Sequence, residues 1–176
     1  MTKNILDEII QKKRKKTVNL KKNISLNSLK ELINLNKTFI NFKERIENNI
    51  KEGKFSIIAE IKKASPSAGE IIKDYDPVSI ANIYNNNKAS CLSVLTEEDF
   101  FQGNLTHISR IKQEVNLPIL CKDFFVDKFQ IPLAKSYGAD AILIILAGVN
   151  DKLADDLYNE ALKLNMSVIV EVHTVE

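Results

Sequence analysis

From residue 54 onward the sequence alternates between apolar runs and amphipathic segments, and this alternation restricts the fold more than any other feature. The apolar runs predict strands at 55–62, 90–96, 117–122, 141–146 and 167–172. The segments between them predict helices near 77–87, 104–115, 127–137 and 150–164. A strand, one helix and another strand in succession are typical of parallel βαβ units. The sequence therefore predicts an α/β fold with a helix-covered sheet.

Two architectures fit this order of elements: an open doubly wound sheet and a (β/α) barrel. The spacing of the strand starts suits either one. No GxGxxG follows the first strand and no GxxxxGK[ST] occurs in the sequence. Neither a Rossmann nor a P-loop nucleotide site is therefore supported.

The residues before this alternation lack strand patterns and are predicted to be helical. Apolar residues in 5–10 recur at helical spacing, Ser25 and Ser28 are suited to cap a second helix, and 39–50 is amphipathic. Gly53 ends this part. We therefore expect a helical extension over 1–53 and a strand–helix region over 54–176.

The charge balance gives no general field for attracting nucleic acid. The chain has 176 residues, 25 basic and 23 acidic, and its formal net charge is +2. The basic run Lys12–Lys16 is interpreted as a solvated helix face, and steering of an anionic substrate is compatible with that interpretation. We expect one domain with a sizeable core and no nucleic-acid partner.

The two cysteines and the hydropathy pattern indicate a cytoplasmic protein. Cys91 and Cys121 lie in predicted strands without a CxxC motif, which favours reduced, buried thiols. The N-terminus is polar, and the longest apolar stretch, 141–149, is too short to span a bilayer. No metal-binding cluster is visible. We therefore expect no membrane partner and no metal.

Four charged residues fall near the carboxyl ends of three predicted strands: Glu60, Lys62, Lys122 and Glu171. Each alone is explained by a solvated strand end or a local ion pair. Because an unpaired charge inside a sheet is costly, their shared location predicts that they surround one polar cavity. In both architectures the site lies at this end of the strands.

Two lysines and two glutamates suit acid–base chemistry on an anionic substrate. Glu60 and Lys62 are two residues apart, so they face the same side of the strand and Ile61 faces the other. His173 is expected to lie outside the site. The loop after the second strand carries Phe100 and Phe101, which either wall a ring-shaped substrate or dock on the core.

Several segments together carry a resemblance to a known family: 58–67, 92–97, 100–103, 120–124, 138–143 and 170–173. They resemble indole-3-glycerol phosphate synthases, which are (β/α)8 (TIM) barrels of tryptophan biosynthesis. Residues 5–9 and the basic helix resemble the leading extension of that family. The resemblance implies an incomplete barrel of about five parallel strands after a helical extension.

The resemblance also implies a carboxy-lyase without a cofactor. The substrate would be 1-(2-carboxyphenylamino)-1-deoxyribulose 5-phosphate, whose pyrrole ring closes with loss of carbon dioxide and water. Lys122 would be the general acid in ring closure, and Glu171 the base in proton transfer and dehydration. Lys62 would bind the anionic substrate and assist as an acid, and Glu60 would orient Lys62. Further positions expected to line the substrate are Ser65, Phe101, Phe124 and Leu143.

The sequence departs from the family in two respects. Cys121 stands where the family often has arginine, beside Lys122. The barrel needs eight strands, and the part expected to carry the phosphate-binding loops follows the fifth. We expect little activity from this chain alone and association with a complementary C-terminal barrel fragment. The alternatives are a non-catalytic truncated fragment or pairing module, and a related barrel enzyme, phosphoribosylanthranilate isomerase.

Overall fold

The alternation of strands and helices is present in the computed structural model, which describes residues 5–35 and 39–173. Three helices come first: α1 Ile5–Asn23, α2 Leu26–Leu35 and α3 Phe42–Lys51. The remaining elements are β1 Ile58–Ile61, the hairpin strands β2 Ala64–Ser65 and β3 Gly69–Glu70, α4 Pro77–Asn86, β4 Cys91–Leu95, α5 Thr106–Glu114, β5 Ile119–Lys122, α6 Gln130–Ser136, β6 Ala141–Ile145, a 3-10 turn Leu146–Gly148, α7 Asp151–Lys163 and β7 Ser167–Glu171.

The order of the strands decides between the two predicted architectures. The main sheet runs β1-β4-β5-β6-β7, and every neighbouring pair is parallel. A doubly wound sheet reverses its strand order at a switch point, whereas a (β/α) barrel adds strands in sequence. The described residues therefore form an incomplete (β/α) barrel whose edges are β1 and β7.

The two faces of the sheet are buried by different elements. Ile61, Val94 and Ile142 point to the outer face, where they pack against the helices α4 to α7. The inner face has its own cluster, in which Phe42 of α3 contacts residues near the amino ends of the strands, namely Cys91, Leu120, Ala141 and Leu143. Helix α3 thus covers the amino end of the interior, and the charged side chains predicted to form a site lie near the carboxyl end.

All five strands of the main sheet are shorter than predicted, and the edge strand β1 differs most. Strand β1 begins at Ile58 rather than residue 55, because Ile58 is paired with Cys91, the first residue of β4. Phe55 and Ile57 precede this ladder and are 95% and 57% exposed. Strand β7 ends at Glu171, so Val172 lies beyond it and is 61% exposed. Where a strand ends depends on its pairing with a neighbouring strand, so apolar composition alone does not predict the end residue.

Helix length and hydropathy also bear on membrane insertion. Over residues 5–35 and 39–173, no helix is both long enough and apolar enough to cross a bilayer.

The two cysteines are free and buried, as the sequence predicted, and they lie on opposite faces of the sheet. Burial raises the pKa of the Cys91 thiol and of the Cys121 thiol to about 12. Because the thiolate is the reactive form, we expect neither to react with Ellman's reagent at mildly alkaline pH while the chain is folded. Absorbance of the released thiolate measures this, with the urea-unfolded chain as the positive control. Rapid release from the native chain would contradict the burial of these thiols.

Candidate active site

Glu60 lies between the two lysines predicted for the site. Its Oε1 accepts a hydrogen bond from Lys62 Nζ at 2.5 Å, and its Oε2 is 3.4 Å from Lys122 Nζ. Lys122 ends β5, which is separated from β1 by β4, so the contact crosses the inner face of the sheet. Ile61 is fully buried on the outer face. The prediction that Glu60 and Lys62 face inward is therefore confirmed.

The two lysines decide the charge of Glu60. Partial burial raises the pKa of this carboxyl group, but the hydrogen bond from Lys62 and the charges of Lys122 and Lys62 lower it further than burial raises it. The net pKa lies below the ordinary value for glutamate, so Glu60 is a carboxylate at neutral pH. Such a group is suited to accept hydrogen bonds from the two lysines rather than to donate a proton.

The predicted charges line one cleft at the carboxyl ends of the strands. Glu60, Lys62, Lys122 and Glu171 all contribute to it, and its volume is about 660 Å³. Much of the remaining lining is apolar or aromatic, including Ile5, Ile9, Leu95, Phe101, Phe124 and Ile145. A few converging charges in an apolar cleft of this size are typical of a small-molecule site. Within the described residues, no group of three or more His, Cys, Asp or Glu side chains is placed to hold a metal ion.

Glu171 has a neighbour that the sequence did not place in the site. His173 Nε2 is 3.2 Å from Glu171 Oε1, and both side chains line the cleft. The histidine follows the last residue of β7 by two positions, so it points to the same side as Glu171. A protonated His173 would form an ion pair with Glu171, and a neutral one can donate a hydrogen bond to it.

The two phenylalanines of the loop after β4 have different surroundings. Phe101 lines the cleft, and its ring centroid is 6.2 Å from that of Phe124, with 38° between the ring planes. Phe100 instead lies under the ammonium group of Lys12, which is 4.5 Å from the ring centroid. Phe101 is thus placed to form part of an aromatic wall, whereas Phe100 contacts Lys12 of α1 and belongs to none of the hydrophobic core clusters of the described residues.

Glu97 holds this loop in place, a role that the sequence did not reveal. Its buried carboxylate accepts hydrogen bonds of 2.8 to 3.2 Å from the backbone N–H groups of Asp99, Phe100 and Phe101. The loop then returns so closely that a Cβ on Gly103 would lie 2.4 Å from the carbonyl oxygen of Leu95. The sequence carries no signal for this arrangement, because a glutamate in an acidic loop has the same appearance whether it is buried or solvated.

Two other predicted substrate contacts lie away from the centre of the cleft. Ser65 sits in the β2–β3 hairpin, where its Oγ accepts the N–H of Ala68 at 3.2 Å, next to Pro66, which lines the cleft. Leu143 is buried in the inner cluster with Phe42. Contact of Ser65 and Leu143 with the substrate stays a prediction.

Residues 6–176 match the profile of a family described as indole-3-glycerol phosphate synthase. The chain belongs to this family. It is 46% identical over 173 residues to the indole-3-glycerol phosphate synthase of Clostridium acetobutylicum, and 44% identical over 173 residues to that of Aliarcobacter butzleri. The corresponding enzyme of Trichodesmium erythraeum is 41% identical over 174 residues.

These matches cover 98%, 98% and 99% of this chain, but 64%, 65% and 58% of the three relatives. The chain thus spans about three fifths of the length of the curated relatives it matches. The resemblance predicted from the segments around Lys62, Lys122 and Glu171 is confirmed for the family. The isomerase alternative loses its support, because the match to the synthase profile covers the β/α region as well as the leading helices.

The departure from the family at Cys121 lies on the face of the sheet opposite to the cleft. Its thiol points to the outer, helix-covered face rather than toward the cleft, and it lies 3.3 Å from Thr96 Oγ1. Side chains of successive strand residues alternate between faces, so Cys121 and Lys122 point in opposite directions. The missing arginine therefore does not remove a charge from the cleft itself.

Proposed function

We propose that this chain carries the acid–base residues of an indole-3-glycerol-phosphate synthase, a carboxy-lyase. The observation that supports the proposal is the arrangement of Glu60, Lys62 and Lys122 in one cleft that also contains Glu171 and an aromatic pair. The proposed substrate, 1-(2-carboxyphenylamino)-1-deoxyribulose 5-phosphate, has a matching aryl ring, a carboxylate and a ketone.

Lys122 is the proposed proton donor in ring closure. The aryl carbon that carries the carboxylate attacks the ketone carbon, and the ketone oxygen takes a proton from the Lys122 ammonium group. Loss of carbon dioxide returns the bonding electrons to the ring. Glu60, 3.4 Å from Lys122 Nζ, keeps the lysine directed into the cleft. Charge stabilisation of this kind is effective because the groups are held in place before the reaction.

Glu171 is the proposed base in the later steps. It removes a proton from the cyclised intermediate while the new hydroxyl group leaves as water, protonated by a lysine. Lys62 binds the anionic substrate and assists in this dehydration. The products are indole-3-glycerol phosphate, carbon dioxide and water, and the balance of atoms and electrons needs no cofactor. Phe101 and Phe124 are proposed to flank the aryl ring, with Ser65 and Leu143 as further contacts.

We also propose that the chain associates with a complementary C-terminal barrel segment through its two sheet edges. Strands β1 and β7 each have a strand neighbour on one side only among the described residues. Exposed apolar residues flank both edges, with Phe55 and Ile57 before β1 and Val172 after β7. Open edges of this kind favour pairing with further strands. The added segment would supply the phosphate-binding loops, which commonly follow the last strands of such barrels.

The chain has no tryptophan, which makes indole formation easy to follow. The C-terminal part of the Clostridium acetobutylicum relative, beyond its match to this chain, provides a complementary segment. We expect the mixture to produce indole fluorescence from the proposed substrate. The chain alone should be at least about 100-fold slower, because the proposed phosphate contacts come from the complementary segment. Size-exclusion chromatography would show the association directly. The proposed location is the cytoplasm, consistent with two free thiols.

The outcomes separate the proposals. A stable complex without indole formation would contradict the synthase proposal and favour the non-catalytic pairing module. Full activity of the chain alone would contradict the need for a complementary segment.

A further inference from the structure

Helix α1 contacts the loops at the carboxyl ends of β4 and β5, and a buried ion pair holds it there. Lys13 Nζ lies 2.7 Å from Asp123 Oδ1, and each residue is only 7% exposed. Burial lowers the pKa of Lys13, but the nearby carboxylates of Asp123, Glu97 and Glu98 raise it by more than burial lowers it. The net pKa is therefore above the ordinary value for lysine. Lys13 is therefore charged. It belongs to the run interpreted from sequence as a solvated helix face, and that interpretation is wrong at this position.

Asp123 makes contacts in two directions. Besides its ion pair with Lys13, its carboxylate accepts a hydrogen bond from the Thr96 hydroxyl at 2.8 Å and one from the backbone N–H of Phe124 at 2.7 Å. It directly follows Lys122, the proposed acid, and directly precedes Phe124, whose ring lines the cleft. The same carboxylate thus connects helix α1 to the backbone that carries two site residues.

The first turns of α1 form one wall of the cleft. Ile5, Leu6 and Ile9 line it. The next residue, Ile10, packs so closely on Gly148 that a Cβ there would lie 2.9 Å from Ile10 Cδ1. A change in the position of α1 would therefore move three apolar side chains at the mouth of the cleft.

The other ion pairs of α1 are more exposed. Lys16 lies 2.6 Å from Glu98 and 2.9 Å from Asp99, and about a third of its side chain is exposed to solvent. Exposed pairs contribute little, whereas removing one partner of a buried pair leaves an uncompensated charge. The Lys13–Asp123 pair is therefore the contact best able to fix the position of the helix.

We infer that Lys13 and Asp123 are positioning residues of the site. The pair seats helix α1 so that its apolar wall closes on the substrate. Asp123 also accepts hydrogen bonds from the Phe124 N–H and from the hydroxyl of Thr96, whose own N–H donates to the Lys122 carbonyl. Neither side chain lines the cleft, so both act through other residues. This inference rests on the proposed synthase function and adds two residues that the proposal does not include.

The test compares Lys13→Met with Lys16→Met, a matched change one turn further along α1. In the chain assembled with its complementary segment, we expect Lys13→Met to raise KM about tenfold and to leave kcat within about threefold, because substrate binding loses its wall. Lys16→Met should change neither constant by more than about twofold. Asp123→Asn should also lower kcat, because Lys122 loses its support.

A second measurement needs no activity. Amide hydrogen exchange of 7–12 in the chain alone should speed up about tenfold in Lys13→Met and stay unchanged in Lys16→Met. Equal exchange in the two variants, or an unchanged KM for Lys13→Met in an active assembly, would overturn the inference. If the wild-type assembly is inactive, the synthase proposal fails, and the exchange experiment still decides whether the pair seats α1.

Discussion

Replacing Lys122 by methionine is expected to reduce kcat of the assembled synthase by about a thousandfold, the usual size of a general-acid contribution. Methionine keeps the approximate length of the side chain and removes the proton that the proposed ring closure transfers to the ketone oxygen. The fold should be retained, because Lys122 is partly exposed at a strand end and its only ion pair in the described residues is with Glu60. Initial rates of indole fluorescence measure the loss, and far-UV circular dichroism checks the fold.

Lys128→Met is the matched control, because this exposed lysine lies in the loop that follows the same strand. It should leave the rate unchanged. Lys62→Met separates the proton-transfer roles of the two lysines. If Lys62 mainly binds the anionic substrate, its loss raises KM more than it lowers kcat. A Lys122→Met assembly with near-normal kcat would show that Lys62 or another group is the acid.

The order of strands and helices could be predicted because the sequence shows both apolar strand runs and amphipathic helical segments. Strand runs such as 141–145 are apolar on both faces, and each is followed by an amphipathic helix and another strand. This pattern left open whether the sheet is doubly wound or a barrel, since strand order is a property of long-range pairing. The edge strand β1 shows the same limit, because its start at Ile58 depends on the register with Cys91.

The site residues that could be predicted are those whose charge conflicts with an apolar strand. Glu60 and Lys122 stand out for this reason, and the structure places them 3.4 Å apart. Glu97, Lys13 and Asp123 could not be found in this way. They lie in loops or on a helix rich in charge, where a buried ion is indistinguishable in sequence from a solvated one. Only the docking of α1 on the strand ends makes Lys13 a buried residue.

Replacing Asp140 by alanine is expected to destabilise the fold strongly. Asp140 lies just before β6 and is almost completely buried. Its carboxylate forms an ion pair with the Lys112 ammonium group. It also accepts hydrogen bonds from the backbone N–H groups of Ile40 at 2.9 Å and Ile119 at 2.8 Å. One side chain thereby joins α5, β5 and the segment before α3. Asp140→Ala should lower the free energy of unfolding by about 3–5 kcal/mol, because Lys112 is left charged and buried without its partner.

Urea unfolding followed by circular dichroism measures this change, with Asp156→Ala as the control. Asp156 pairs with Lys152 at 3.1 Å on an exposed face of α7, so its loss should cost no more than about 0.5 kcal/mol. The double variant Lys112→Met/Asp140→Ala should recover part of the loss, because it removes the unpaired charge as well. If Asp140→Ala were no more destabilising than Asp156→Ala, the buried pair would not be what joins α5 to the sheet. A double variant as unstable as Asp140→Ala would instead assign the loss to the two backbone N–H groups.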